Sequence, residues 1–343
     1  MKVLFRADCD RTIGTGHIFR CRQMADYFRE KNWHVEFLIN DDRFAENMVS
    51  HYDYTRIACR HLNEEISATA DLLNDRSFDI IVVDFYDKYE NRELLRLFTD
   101  KAKVAVMAIS DDFRKVDIDC DYLLVTEPAQ AGYGYDNEKQ VVFQGERYGI
   151  VSREFIDNKT CLRNTVNNVL ISFGGHDPHN TTCKIAGYLA NMAHDHDLSA
   201  VTFNFLIGGI FAHEAELADI LAGSGLSHRL HKALPSVAPL FAASDLALTA
   251  CGNTLYELCH IGVPMIAVGL NERQHEAGRL LHNRRLIKYA GYHAEITEAV
   301  IRDLLTALIG SYTERLMLHD ICKKHFDIDP LEEICKTLSR RMS

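Results

Sequence analysis

No stretch of the 343-residue chain approaches the run of about 18 apolar residues that a membrane-spanning helix requires. The first residues hold only Val3, Leu4 and Phe5 in a row before Arg6 and Asp8, far short of a secretory leader. These absences point to a cytoplasmic protein. No block of lysine or arginine occurs, and 38 basic against 49 acidic residues leave a net charge of −11. A nucleic-acid backbone is therefore a poor partner, and any anionic ligand must be held by local donors. Ten cysteines are present, yet no two stand as Cys-x-x-Cys, so neither a zinc framework nor a disulfide scaffold is supported. In a reducing compartment most of them act as small buried hydrophobes.

At 47% apolar and 25% charged, the composition is that of an ordinary globular protein, and the length suggests two domains. Short apolar runs alternate with helical patterns, as in parallel α/β units. Strands are expected at 3–5, 35–39, 80–83, 104–109 and 122–125, with a helix at 18–31. A second series opens at Asn168–Phe173 and continues with strands at 202–207, 246–249 and 265–268. Helices are expected at 254–261, 273–290, 297–311 and 330–342, and an irregular stretch at 126–165. Both series begin with strand, glycine turn and helix. In such doubly wound domains ligands are met at the carboxyl ends of the strands, in a crevice. Function is therefore sought just after each strand.

Four constellations lie there. After the first strand, Arg6-Ala7-Asp8 leads to Ile13-Gly14-Thr15-Gly16-His17. Glycines admit close backbone approach, and a helix N-terminus offers N–H groups to an anion. The dinucleotide fingerprint is absent. His17 is either a neutral base at the helix start or a capping and packing residue. Second, Asp84-Phe85-Tyr86 follows the β-branched strand; Asp84 could hold a histidine, bind a hydroxyl or cap a helix. Tyr86 could donate to a leaving oxygen or sit as a rim aromatic. Asp111-Asp112 has the same placement, but neighbours on extended chain point opposite ways, against a metal site. Third, Ser172-Phe173-Gly174-Gly175-His176-Asp177-Pro178 offers a glycine pair for a pyrophosphate and Asp177 as a cap. Fourth, in Cys251-Gly252-Asn253-Thr254-Leu255-Tyr256-Glu257, Asn253 and Thr254 offer caps. Glu257 could accept ribose hydroxyls or merely complement the helix dipole. His194 and His196 resemble a metal pair only superficially, and His213, His228 and His231 read as surface positions.

In order and spacing these stretches resemble the hydrolases that remove UDP from UDP-2,4-diacetamido-2,4,6-trideoxy-β-L-altropyranose on the way to pseudaminic acid, and the related spore-coat polysaccharide proteins. The resemblance is carried by residues 5–8 with 13–17, 83–86, 109–112, Gly145-Glu146-Arg147-Tyr148 through Arg153-Glu154-Phe155, 171–178, Gly252-Asn253-Thr254 with Glu257-Leu258-Cys259, and Asn271 with Gln274. It implies a glycosyltransferase type B fold, two Rossmann-like doubly wound α/β domains facing a crevice. Residues 1–160 would form the sugar and catalytic domain and 161–327 the nucleotide domain, with a closing helix near 328–343 able to pack back onto the first. It implies His17, Asp84, Tyr86 and Asn271 as catalytic residues, and Gly14, Gly16, Gly174, Gly175, Gly252, Asn253, Thr254 and Glu257 around the nucleotide and diphosphate. Arg6, Asp8 and Gln274 would meet the sugar. Neither metal nor cofactor is implied, and the partner is a UDP-sugar. The chain departs from the pattern at Cys9-Asp10-Arg11, at Phe85 and at Cys251-Gly252-Asn253-Thr254, which fits a divergent member with an altered sugar or reaction. A glycosyltransferase of the same fold, or a nucleotide-sugar-binding partner without catalysis, are the competing readings.

Overall fold

A computed structural model describes residues 1–9, 16–58, 62–84, 104–110, 118–126, 128, 140–193 and 198–342. The chain forms two compact units, Met1–Ile150 with Asp329–Ser343 and Val151–Ile328.

The first unit is built on seven strands: β1 (Lys2–Ala7), β2 (His34–Asn40), β3 (Asp53–Ile57), β4 (Ile80–Asp84), β5 (Ala105–Ser110), β6 (Tyr122–Val125) and β7 (Val141–Gln144). They pair in the order β3-β2-β1-β4-β5-β6-β7. Every pairing is parallel. A strand buried on both faces reads as an unbroken apolar run, which is why Ile80-Ile81-Val82-Val83 is legible as β4. Its last residue, Asp84, is buried too and lies level with Ala7 at the end of β1. The chain order reverses between β1 and β4, so this is the switch point where doubly wound sheets take ligands.

Helices α1 (Gly16–Glu30), α2 (Arg43–Val49) and α3 (Leu62–Asp75) connect the first strands. In α1 the apolar residues Ile18, Cys21, Met24, Ala25 and Phe28 fall at helical spacing and form its buried stripe. Phe28 packs between Phe5 of β1, 5.9 Å away, and Trp33, 4.5 Å away. Asn32 takes a left-handed conformation (φ 62°) and turns the chain into β2.

The second unit repeats the plan with β8 (Asn168–Ser172), β9 (Thr202–Ile207), β10 (Ser227–Lys232), β11 (Leu246–Ala250), β12 (Met265–Gly269) and β13 (Lys288–Tyr292), ordered β10-β9-β8-β11-β12-β13. Pleating sends alternate residues to opposite cores. Val169, Ile171, Leu248 and Ile266 enter one cluster, and Leu170, Ala247, Met265 and Ala267 the other. Its helices are α4 (Arg153–Asp157), α5 (Thr181–Asn191), α6 (Glu214–Gly223), α7 (Ala238–Ala242), α8 (Asn253–Ile261), α9 (Glu272–Asn283), α10 (Glu298–Gly310) and α11 (Tyr312–His325). The closing helix α12 (Pro330–Met342) belongs to the first unit, where Tyr148 donates to Glu333 Oε1 at 2.6 Å. Among the described residues no helix is long and apolar enough to cross a membrane.

Two expectations need correction. The helix expected at 273–290 ends at Asn283, and β13 begins at Lys288. The break is made by Arg284 and a left-handed Arg285 (φ 61°), neither of which signals a turn, while Leu280, Leu281, Leu286 and Ile287 sustain an apolar pattern across it. The irregular stretch 126–165 contains β7 and α4.

Candidate functional site

Each unit carries its candidate residues at the carboxyl ends of its strands. In the first, α1 places His17 and Arg20 three positions apart on one face, toward the end of β4. His17 Nδ1 lies 2.7 Å from Asp84 Oδ1. Arg20 donates through Nε to Asp84 Oδ2 and through Nη2 to Oδ1, the latter at 2.5 Å. Asp84 is fully buried, whereas the His17 side chain keeps 14% of its surface. Burial alone would raise the Asp84 carboxyl; the Arg20 charge and hydrogen bonds, joined by His17, overcome that and hold it at about 2.

An ionised carboxylate accepts hydrogen bonds only, so the short contact makes Nδ1 of His17 a donor. The lone pair of the neutral ring then resides on Nε2. The Arg20 Nη2 to His17 Nδ1 separation of 3.1 Å follows from both donors converging on Oδ1. Cys21, one position further on, lies 3.7 Å from Asp84 Oδ2. Burial and that carboxylate push its thiol well up, so Cys21 stays protonated.

Arg6 and Asp8 are 2% exposed. Arg6 pairs with Asp8 at 2.7 Å and, through Nε and Nη2, with Glu65 of α3 at 3.0 and 2.6 Å. Asn40 brackets the backbone of Cys9, accepting from its N–H at 3.0 Å and donating to its carbonyl at 2.9 Å. These contacts anchor the chain leaving β1. Gly16 opens α1 at the surface. Gly14, Tyr86, Asp111, Asp112, His194 and His196 lie outside the described residues.

In the second unit the turn after β8 contains Gly174, with φ +92°, followed by Gly175; both are exposed. Gly208, at the end of β9, packs backbone to backbone on Gly175: a Cβ there would fall 2.3 Å from the Gly175 carbonyl oxygen. Asp177 is buried and caps α5, accepting from Thr181 N–H at 3.0 Å and Thr182 N–H at 2.7 Å. After β11, Gly252 itself takes the cap position of α8 without a side-chain bond. Asn253 and Thr254 are therefore the first helical residues rather than caps, with Asn253 exposed. Asn271 caps α9 by accepting from Gln274 N–H at 3.0 Å. Gln274 accepts from Leu270 N–H at 3.0 Å, which turns its amide Nε2 toward Gly252, 3.4 Å from where a Cβ would stand. Gly252 and Gln274 thus come together.

Glu257 lies one turn into α8, half-buried. Burial, with the charge of Glu154 on α4 adding to it, pushes its carboxyl up to about 7. Glu154 is itself held by Ser236 Oγ at 2.5 Å. Sequence reasoning missed three partners: Arg20, Glu65, and Glu154 as a neighbour of Glu257. The i, i+3 spacing of Arg20 from His17 was the available signal; the other two pairings are long-range. Among the described residues no three histidine, cysteine, aspartate or glutamate side chains cluster to hold a metal.

Known proteins resemble this chain at low identity. The solved structure of Acinetobacter baumannii MurG superposes with a TM-score of 0.71 at 14% identity, covering 99% of this chain and 100% of that one. CalG4, the calicheamicin glycosyltransferase, superposes at 0.65 and 12% identity, covering 99% and 98%. Anabaena Alr3699/HepE in complex with UDP and glucose superposes at 0.59 and 14% identity, covering 99% of each. The fold is that of the type B glycosyltransferases. Among curated sequences, an uncharacterized Methanocaldococcus jannaschii protein, MJ1062, is 25% identical over 291 residues, 80% of this chain and 57% of that protein. The Bacillus subtilis spore coat polysaccharide biosynthesis protein SpsG is 20% identical over 327 residues, 93% and 92% of the two chains. The Campylobacter jejuni UDP-2,4-diacetamido-2,4,6-trideoxy-β-L-altropyranose hydrolase is 26% identical over 196 residues, 55% of this chain and 66% of that one. The chain thus spans little more than half of MJ1062 and just under two thirds of the hydrolase. No protein-family model matches it.

Proposed function

We propose that the chain hydrolyses a UDP-linked acetamido-deoxy sugar at its anomeric carbon, releasing UDP and the free sugar for the synthesis of a nonulosonic acid or surface glycan. The observation that carries this reading is the 2.7 Å contact of His17 with an Asp84 kept ionised by Arg20. A histidine whose Nδ1–H is spent on a buried carboxylate presents Nε2 as a general base. Water loses its proton to Nε2 as its oxygen bonds to the anomeric carbon. The carbon–oxygen bond to the diphosphate breaks, and its electron pair leaves with UDP. Tyr86 completes the catalytic set together with Asn271.

The nucleotide is assigned to the second unit. The exposed glycine turn at Gly174 and Gly175, ahead of an α5 whose first N–H groups are already taken by Asp177, suits close approach of the diphosphate, and Glu257 suits the ribose hydroxyls. Gly252, Asn253 and Thr254 line the nucleotide and Gln274 the sugar. Gly14 and Gly16 are further candidates for the diphosphate. Arg6 and Asp8, buried against Glu65, support the sugar side from beneath. The likeness to the hydrolase from Campylobacter jejuni supports the reaction and substrate class.

A second reading, transfer of the sugar to an acceptor hydroxyl, is favoured by the glycosyltransferases among the solved neighbours. The two separate in one assay: UDP release from a panel of UDP-sugars with and without candidate acceptors. Release in buffer alone supports hydrolysis, and release only with an acceptor supports transfer.

A further inference from the structure

A second cavity lies in the first unit, at the far end of α1 from His17. Helix α1 leaves the carboxyl end of β1 and runs back along the sheet, so its last turn lies beside the start of β2, at the opposite edge from Asp84. At 1.5 Å per residue, the ten residues from His17 to Tyr27 span about 15 Å. There α12 lies against the end of α1, and between them a cavity of about 420 Å³ opens widely to solvent. That volume is in the range of small-molecule sites.

Its lining divides by chemistry. Tyr27 and Trp33, both largely buried, form its aromatic floor, while Lys31 from the end of α1 and Lys336 and Arg340 from successive turns of α12 supply three solvent-exposed cations. The Lys31 ammonium stands 5.0 Å over the Tyr27 ring. One carboxylate, Glu332, bonds Lys336 at 2.6 Å. Three cations against one anion leave two positive charges, in a chain whose net charge is −11. Lysine and arginine at helix ends also complement the dipole, but that role calls for no aromatic-walled cavity. We infer that this cavity binds a phosphate monoester carrying an aromatic or aliphatic body, its near-dianionic head among Lys31, Lys336 and Arg340 and its body against Tyr27 and Trp33. The site stands independently of the catalytic reading. The ester could be soluble or the phosphatidic acid headgroup of a bilayer.

Trp33 is the chain's one tryptophan, so tryptophan emission reports on this cavity alone. The full chain is titrated with phenyl phosphate, phenol and inorganic phosphate, and with phosphatidylcholine vesicles made with and without phosphatidic acid. The expected result is a saturable emission change with phenyl phosphate, with phenol and inorganic phosphate each at least about tenfold weaker. A response to phosphatidic acid vesicles without one to phenyl phosphate assigns the head to a lipid. The double variant Lys31→Glu with Arg340→Glu, both exposed positions, is expected to weaken binding at least about tenfold with unchanged circular dichroism. No saturable change with either phosphate source, or undiminished affinity in the double variant, overturns the proposal.

Discussion

His17 and Asp84 stand 67 positions apart in the chain and meet at 2.7 Å, with Arg20 bonded to the same carboxylate. The contact exists because β1 and β4 are neighbours at the switch point, and α1 begins directly above it. Asp84→Asn keeps the shape but removes the charge that fixes the Nδ1 proton. Turnover is expected to fall about 10²–10⁴-fold in Asp84→Asn and in His17→Ala, with nucleotide affinity within about threefold of the parent. Steady-state kinetics beside calorimetric UDP titration check this.

Acid stability should carry two signatures. Asp84 is held at about 2 against an ordinary 3.8, so its contribution, on the order of 2 kcal/mol, is present above pH 3.8 and lost as pH falls through 2. His260 is buried with no hydrogen-bond partner on either ring nitrogen; burial, then Lys159, push it down to about 3 from 6.5. Between those values the unfolded chain binds a proton that the folded one refuses, so stability falls as pH drops from 6.5 toward 3. His260→Phe, facing Phe326, is expected to raise the melting temperature at pH 5 and to flatten that limb of the curve. Thermal melts from pH 2 to 8 decide both.

Much of this was legible from sequence, and the rest fails for physical reasons. Strands buried on both faces, such as β4 and β8, show as apolar runs. The edge strand β10, Ser-His-Arg-Leu-His-Lys, faces solvent along most of its length and carries no such mark. Asp-Tyr-Thr-Arg-Ile in β3, also at the edge of its sheet, is only partly buried and likewise shows no apolar run. At the site, Gly-Gly and Gly-His turns after strands drew attention to Gly174, Gly175 and His17. Arg20 does not stand out in the sequence, because a cation in a helix reads as solvated surface until a buried carboxylate appears opposite it. The commitment of Asp177 to capping was visible in its position before α5, whereas the burial of Arg6 against Glu65 depended on where α3 packs.

Arg315 should prove a structural keystone of the second unit. Its guanidinium is buried and donates to four carbonyls: Leu308 at 2.6 Å, Ile309 at 3.0 Å, Arg163 at 3.0 Å and Asn164 at 2.7 Å. It closes the end of α10 and pins the segment leading into β8. Arg315→Ala strands these acceptors and should cost about 3 kcal/mol in urea unfolding. Arg315→Lys, with a single ammonium in place of the planar fork, should cost less than the alanine but remain measurable.

Glu257 should make nucleotide binding pH-dependent. A carboxyl raised to about 7 from 4.5 is neutral at pH 6 and ionised at pH 8, and the ionised form is the better acceptor for ribose hydroxyls. Affinity for UDP-glucose, whose diphosphate does not titrate in this range, is expected to rise about three- to tenfold from pH 6 to 8. Glu257→Gln should abolish that rise. In the ligand-free protein the sign is opposite, because the folded chain holds a proton the unfolded one has released between pH 4.5 and 7.

The central claim is that water, activated at His17, attacks the anomeric carbon of a UDP-sugar. Turnover of a UDP-linked diacetamido-trideoxyhexose in ¹⁸O-enriched water, without acceptor, tests it most directly by mass spectrometry of both products. The account predicts ¹⁸O at the anomeric hydroxyl of the free sugar, unlabelled UDP, and loss of both products in His17→Ala. Label in UDP, or undiminished turnover in His17→Ala, would contradict it.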